Sequence, residues 1–158
     1  MINLLPYRLG VGLVIINDQL EIFTGRRLDN TKAWQMPQGG IDNNEIPVEA
    51  AYREMYEETG IRKSKVTLLK QTKTWYRYDL PQEIQNKFWG GKFRGQSQKW
   101  FLFKFIGTEF DINIETKEPE FISWQWLSPE QLVLRAVPFK QNVYENLMNT
   151  FKDEINVV

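Results

Sequence analysis

The run GGIDNNEIPVEAAYREMYEETGI, residues 39–61, constrains this chain more than any other stretch, because Glu45, Glu54, Glu57 and Glu58 stand at fixed offsets between Gly39 and Gly60. A helix turns about 100° per residue, so Glu54, Glu57 and Glu58 share a narrow arc of one face. Val48, Tyr52 and Met55 gather on the other side as a packing stripe. Pro47 suits the first helical position, where its missing N–H costs nothing. Gly60 suits the left-handed position that ends a helix, after which Ile61 re-enters the core. Gly39 and Gly40 permit a tight backbone path from strand to loop. Ile46 stands where Ser or Thr would cap the helix, so Glu49 is expected to compensate in part through the helix dipole.

Like charges at this spacing repel, and Arg53 is expected to answer only one of them, most naturally Glu57. Residues 41–58 hold six acids against one base, a local net charge of −5. A divalent cation would neutralise it. Oxygen donors select hard ions: Mg²⁺ is typically held by a few carboxylates together with substrate phosphate oxygens, and Mn²⁺ suits the same donors. Taken alone, the cluster also reads as a solvated acidic helix face. The DNNE run at 42–45 lacks the spaced ligands and closing glutamate of a calcium loop.

Whole-chain composition narrows the chemistry further. The 158 residues are balanced at 20 basic and 20 acidic, yet residues 87–104 carry Lys87, Lys92, Arg94, Lys99 and Lys104 with no acid. An acidic metal face beside a basic strip suits a polyanionic substrate, although the basic strip taken alone reads as an ordinary solvated loop and strand edge. The chain has no histidine and no cysteine, which excludes His-dependent triads, imidazole or thiolate zinc sites and disulfides. A cytoplasmic location is expected, since MINLLPYRLG lacks a signal-peptide pattern and no apolar run approaches the roughly 20 residues of a membrane span.

One mixed α/β domain over 1–158 is expected. Val11 to Ile16 and Leu20 to Thr24 read as strands turning at Asn17 and Asp18, and a short extended piece, Trp34 to Pro37, leads into the acidic helix. Lys65 to Lys70, Thr72 to Tyr78, Lys99 to Ile106 and Phe121 to Leu127 are further strands, rich in aromatic and β-branched residues. Ser128 and Pro129 start a helix through Leu134, and Val143, Leu147 and Phe151 mark another over 138–153. The stretch FWGGKFRGQ, residues 88–96, reads as a long functional loop.

The spacing of Gly39, Glu45, Arg53, Glu54, Met55, Glu57, Glu58, Gly60 and Ile61 resembles the signature box of the Nudix hydrolases, which cleave nucleoside diphosphates linked to another moiety. The likeness extends to Tyr7–Arg8, GRR at 25–27, WQMPQGG at 34–40, WYRYDLP at 75–81, WGGKFRGQSQKWF at 89–101, PEF at 119–121 and VPFK at 137–140. Together these are similar to the RNA pyrophosphohydrolase branch, which overlaps in sequence with the dinucleoside polyphosphate hydrolases. Ser97 departs from the GQKQKW pattern, and Leu9 stands where Pro is common. The first departure removes a positive charge expected near the substrate path. No basic tail precedes Val158, so the folded domain is expected to supply all RNA contacts.

The resemblance implies an α/β/α sandwich around a mixed sheet. It implies Glu54, Glu57, Glu58 and Glu120 as metal ligands; because the chain has no histidine, a glutamate of the catalytic cluster Glu54, Glu57 and Glu58 is expected to be the general base, Glu57 or Glu54 before Glu58. It also implies Arg8, Arg27 and Lys140 at the phosphates, Tyr78 among the substrate-binding residues, and Phe139 stacked on a base with Arg27 opposite. The activity implied is Mg²⁺- or Mn²⁺-dependent conversion of 5′-triphosphate RNA ends to monophosphate, which promotes transcript decay. Hydrolysis of dinucleoside polyphosphates is the nearest alternative, and a nucleotide- or RNA-binding module without turnover a more distant one. No obligate protein partner and no membrane association are expected.

Overall fold

A computed structural model describes residues 4–155. The expectations for the start of the chain, at Met1, and for its end, at Val158, lie outside the described residues. β1 (Tyr7–Ile16) runs through the middle of the sheet and is buried from Gly10 onwards. It pairs in parallel with β7 (Gly95–Phe105), Tyr7 opposite Gly95 and Ile16 opposite Lys104. Every other pairing among the described residues is antiparallel. β2 (Ile22–Arg27) joins the far end of β1 and carries β3 (Trp34–Gln35) and β8 (Phe121–Leu127). β4 (Gln38–Gly40) pairs with the start of β1, while β5 (Val66–Gln71) and β6 (Tyr76–Asp79) both pair with β7.

Alternation along β1 and β7 builds two cores, because successive side chains leave opposite faces of a strand. Val11, Leu13, Ile15, Phe101 and Phe103 point to one face and meet Ala50, Ala51 and Met55 of α1 (Pro47–Thr59). Val14, Ile16, Trp100 and Leu102 point to the other. They meet Leu132 of α3 (Pro129–Arg135) and Val143, Tyr144 and Leu147 of α4 (Pro138–Thr150). A short α2 (Gln82–Gln85) lies in the β6–β7 connection, and α5 (Lys152–Ile155) follows α4. The result is a three-layer α/β/α sandwich on a mixed sheet, as the family resemblance implies.

Helix α1 has the expected termini: Ile46 offers no side-chain cap, and Gly60 takes φ 73° with its N–H bonded to Tyr56 O. Two boundaries differ from expectation for local reasons. β2 begins at Ile22 rather than Leu20, because Asn17 Oδ1 accepts from the N–H groups of Gln19 and Glu21 and Leu20 is turned to φ 62°. The last helical stretch is not continuous, since Phe151 at φ −101°, ψ 17° separates α4 from α5. β6 is shorter than Thr72 to Tyr78, and β7 already begins at Gly95 inside the expected loop. Among the described residues no helix is long and apolar enough to cross a membrane.

Candidate active site

The acidic face of α1, the start of β1, the end of β2, β4 and the segment before β8 enclose a cleft of about 1160 Å³. Arg8, Arg27, Glu54, Glu57, Glu58 and Glu120 all line it, which brings Glu120 to the box helix across the fold. Its walls carry five bases against eight acids, a formal acidic excess that bound cations would offset for a polyanion.

The four glutamates sit at different depths. Glu58 is buried, and its Oε2 has no hydrogen-bond partner. Burial, then the neighbouring charges of Glu54 and Glu120, push its pKa well above the ordinary value. Burial also raises Glu54, to about 7, against the opposing pull of the Arg53 guanidinium. Glu120 is raised by burial and partly offset by Arg27. The Glu57 side chain remains 55% exposed.

Arg53 does more than pair with Glu57. Its guanidinium donates to Glu45 at 2.8 and 2.9 Å, to Glu54 Oε1 at 2.8 Å, to Glu57 Oε2 at 3.1 Å and to Gly40 O at 2.7 Å. The planar fork of an arginine makes this possible. Arg53 thereby ties the helix face to β4 and to the loop before α1, and the expectation of a single partner is corrected.

The positive residues divide into an open group and a buried one. Arg8 and Arg27 line the cleft. Arg27 donates to Asp29 through Nε at 2.7 Å and Nη2 at 2.5 Å, and through Nη1 to Gln35 Oε1 at 3.1 Å. Lys140 is only 3% exposed and donates to that same Gln35 oxygen at 2.8 Å. Burial, followed by the Arg27 charge, lowers its pKa to about 7. Phe139 lies half-buried against Tyr78, ring centroids 5.7 Å apart, and the ring facing Arg27 is Phe88, at 5.8 Å. Tyr78 is buried, and its hydroxyl accepts from Gln38 Nε2 at 3.2 Å.

The basic run 87–104 is not one surface. Arg94 pairs with Asp79 at 2.7 Å, Lys99 lies 5.9 Å from the Trp75 ring, and Lys104 bonds to Asp18 at 3.0 Å near the opposite end of β1. Ser97, where the family pattern has Lys, is buried in β7 between Leu9 and Arg77 and does not line the cleft, although its neighbour Gln96 does.

Sequence reasoning passed over a chain of buried amides beneath the cleft. Gln98 Nε2 donates to Gln96 Oε1 at 2.7 Å and to Gln38 Oε1 at 3.0 Å, while Trp100 Nε1 donates to Gln98 Oε1 at 3.2 Å. Gln38 and Gln96 both line the cleft. Their signal was three glutamines on strand segments that adjoin apolar, aromatic runs, each of which needs a partner when buried.

As they stand, the described acids form no ready three-carboxylate grip, because Glu54 and Glu57 are drawn onto Arg53. The donor set nevertheless fits a hard divalent ion: four carboxylates line one cleft, and Glu58 holds a buried oxygen that no protein group satisfies.

This sheet, box helix and carboxylate-lined cleft define a Nudix fold, and the chain belongs to the Nudix family, the NUDIX domain matching residues 6–147. Nudix enzymes are pyrophosphohydrolases that generally use a divalent metal. A relative named RNA pyrophosphohydrolase from Rhodospirillum rubrum is 52% identical over 144 residues, covering 91% of this chain and 86% of its own length. A second of the same name, from Cereibacter sphaeroides, is 49% identical over 152 residues, covering 96% and 94%. The solved structure of the E. coli dihydroneopterin triphosphate pyrophosphohydrolase shares the fold at a TM-score of 0.70 and 17% identity, over 92% of this chain and 99% of that one.

Proposed function

We propose that this chain, acting as one domain over 1–158, hydrolyses the 5′-triphosphate end of RNA to a 5′ monophosphate, releasing pyrophosphate or successive phosphates. The observation that carries this reading is near-end-to-end identity of about half with relatives named RNA pyrophosphohydrolase, with Glu54, Glu57, Glu58 and Glu120 on one cleft. These four side chains would hold Mg²⁺, or Mn²⁺ in its place. Such an ion polarises phosphoryl oxygens, lowers the pKa of a water and neutralises charge on the leaving group.

The protein's own part is positional. Arg8 and Arg27 receive phosphate oxygens, Arg27 by exchanging its contact with Asp29 for one with the substrate. Gln35 ties Arg27 to Lys140, which supports the phosphate site from beneath. Tyr78, itself buried, backs the half-buried Phe139 ring at 5.7 Å, and Phe139 would offer its ring to a base. With no histidine in the chain, Glu54 or Glu57 accepts the proton of the attacking water.

A competition between triphosphorylated RNA and diadenosine tetraphosphate at matched Mg²⁺ tests the assignment. RNA is expected to be consumed first, and activity to vanish on chelation. Preferential loss of the dinucleotide would establish the alternative, and metal-dependent binding without turnover of either would mark a silent binding module.

A further inference from the structure

The turn Phe88–Gly91 presents two rings to the cleft, and the catalytic reading uses neither. Both rings line it, and each lies against one of the two open guanidiniums: Arg8 is 5.2 Å from the Trp89 centroid and Arg27 is 5.8 Å from that of Phe88. Both sit half-buried at the margin of the core, unlike the enclosed Trp100 and Tyr144. Phe93 meets the Trp89 ring edge-on at 6.1 Å. The backbone beneath is unusual. Trp89 takes φ 50°, the left-handed region that a bulky residue rarely adopts, and Gly90 and Gly91 follow at 67° and 72°. Such conformations persist where surrounding structure enforces them, and they cluster at ligand clamps.

We propose that this turn is a base-binding element of the cleft, with the Trp89 indole stacking on the base of the nucleotide that carries the 5′ polyphosphate. The inference rests on the reading of the cleft as a nucleotide polyphosphate site. A guanidinium on a ring face is a planar cation held by a modest attraction. A polyphosphate offers the same guanidinium charge-assisted, bidentate bonds, which are stronger. When the phosphates arrive, Arg8 turns to them and leaves the indole face uncovered. The base of the same nucleotide then takes the vacated place. Arg27 and Phe88 repeat the arrangement one residue earlier in the turn and extend the platform. Every base has a π-face, so the platform favours a nucleotide over a bare polyphosphate with little preference among bases.

Binding, rather than turnover, tests this. The probes are a 5′-triphosphorylated RNA and the same RNA with an abasic first residue, titrated in Mg²⁺ before hydrolysis proceeds. Wild-type protein is expected to bind the base-bearing RNA about 10-fold more tightly, the lower range of one stacked base. Trp89→Ala should lose that advantage yet bind the abasic RNA like wild type, and Trp89→Phe should retain most of it. Equal weakening for both RNAs, or no weakening for either, would overturn the proposal. Should Trp89→Ala not fold, tryptophan fluorescence decides. The excess quenching of wild type over Trp89→Phe should be larger with base-bearing RNA than with the abasic RNA or inorganic tripolyphosphate, and an excess of the same size with all three counts against stacking. If RNA is bound in this way but dinucleotides are turned over instead, the RNA assignment fails while the stacking site stands.

Discussion

A side chain on Gly39 would occupy the place of the Glu54 carboxyl group: its Cβ would stand 2.0 Å from Glu54 Cδ and 2.2 Å from Oε2. The first glycine of the box therefore clears room for a glutamate one layer away. Since the displaced atoms are the tip of a flexible side chain, Gly39→Ala is expected to move Glu54 and spare the fold. Turnover should drop by about 10-fold or more, the scale on which misplaced catalytic groups act, with the melting temperature nearly unchanged. A variant that melts early, or one with normal turnover, would contradict this.

Gly40 stands in the same relation to Arg8, whose Nη2 lies 2.1 Å from the position of an added Cβ. Gly40→Ala should push the guanidinium off its seat and raise KM for the triphosphorylated end while leaving kcat largely intact. The effect should not add to that of Arg8→Ala, because both changes remove one interaction. Additive losses would mean that Gly40 acts elsewhere.

Without metal, the carboxylates should make stability depend on pH in an unusual direction. Glu54 is raised from 4.5 to about 7, and Glu58 is raised as well. Groups raised in the folded state contribute stability below their unfolded pKa and lose it as pH climbs through the folded value. Metal-free protein is therefore expected to lose stability between pH 4.5 and about 7, by on the order of 1 to 3 kcal/mol. Glu58→Gln should flatten part of that decline, and saturating Mg²⁺ should reverse it in wild type only. Thermal melts in a chelator across this range make the measurement, and a stability that rises with pH would sink the idea.

The box was legible because its logic is local. Helical spacing gathers Glu54, Glu57 and Glu58 without any long-range contact, and Gly60 ends the helix by its own backbone preference. Glu120 was reachable only through resemblance, since no pattern within the chain links β8 to α1. Arg53 was underestimated because i,i+4 reasoning sees one helix, while Glu45 and Gly40 O belong to the loop and strand before it. The basic run 87–104 forms no single strip, in keeping with its reading as a solvated loop and strand edge. Arg94 precedes β7 while Lys99 and Lys104 lie five residues apart along it, so these charges end beside Asp79, Trp75 and Asp18.

Lys140 gives a stability profile of the other sign. Its ammonium is enclosed with Gln35 Oε1 at 2.8 Å and has its pKa lowered from 10.5 to about 7, by burial and then by the Arg27 charge. Between those two values the unfolded chain holds this proton more firmly than the folded one, so stability should rise with pH across pH 7 to 10.5. One proton sets a ceiling of about 1.4 kcal/mol per pH unit. Lys140→Met preserves the length of the buried stem and removes the titrating group, so the difference between the two proteins isolates this residue. At pH 7 and below the variant should be at least as stable as wild type, because an enclosed charge is exchanged for an apolar tip. Gln35 should then still hold Arg27 through its 3.1 Å bond, and the affinity for phosphates would report how far Lys140 itself contributes. Parallel pH profiles for wild type and Lys140→Met would show that the amine is not desolvated in the folded protein.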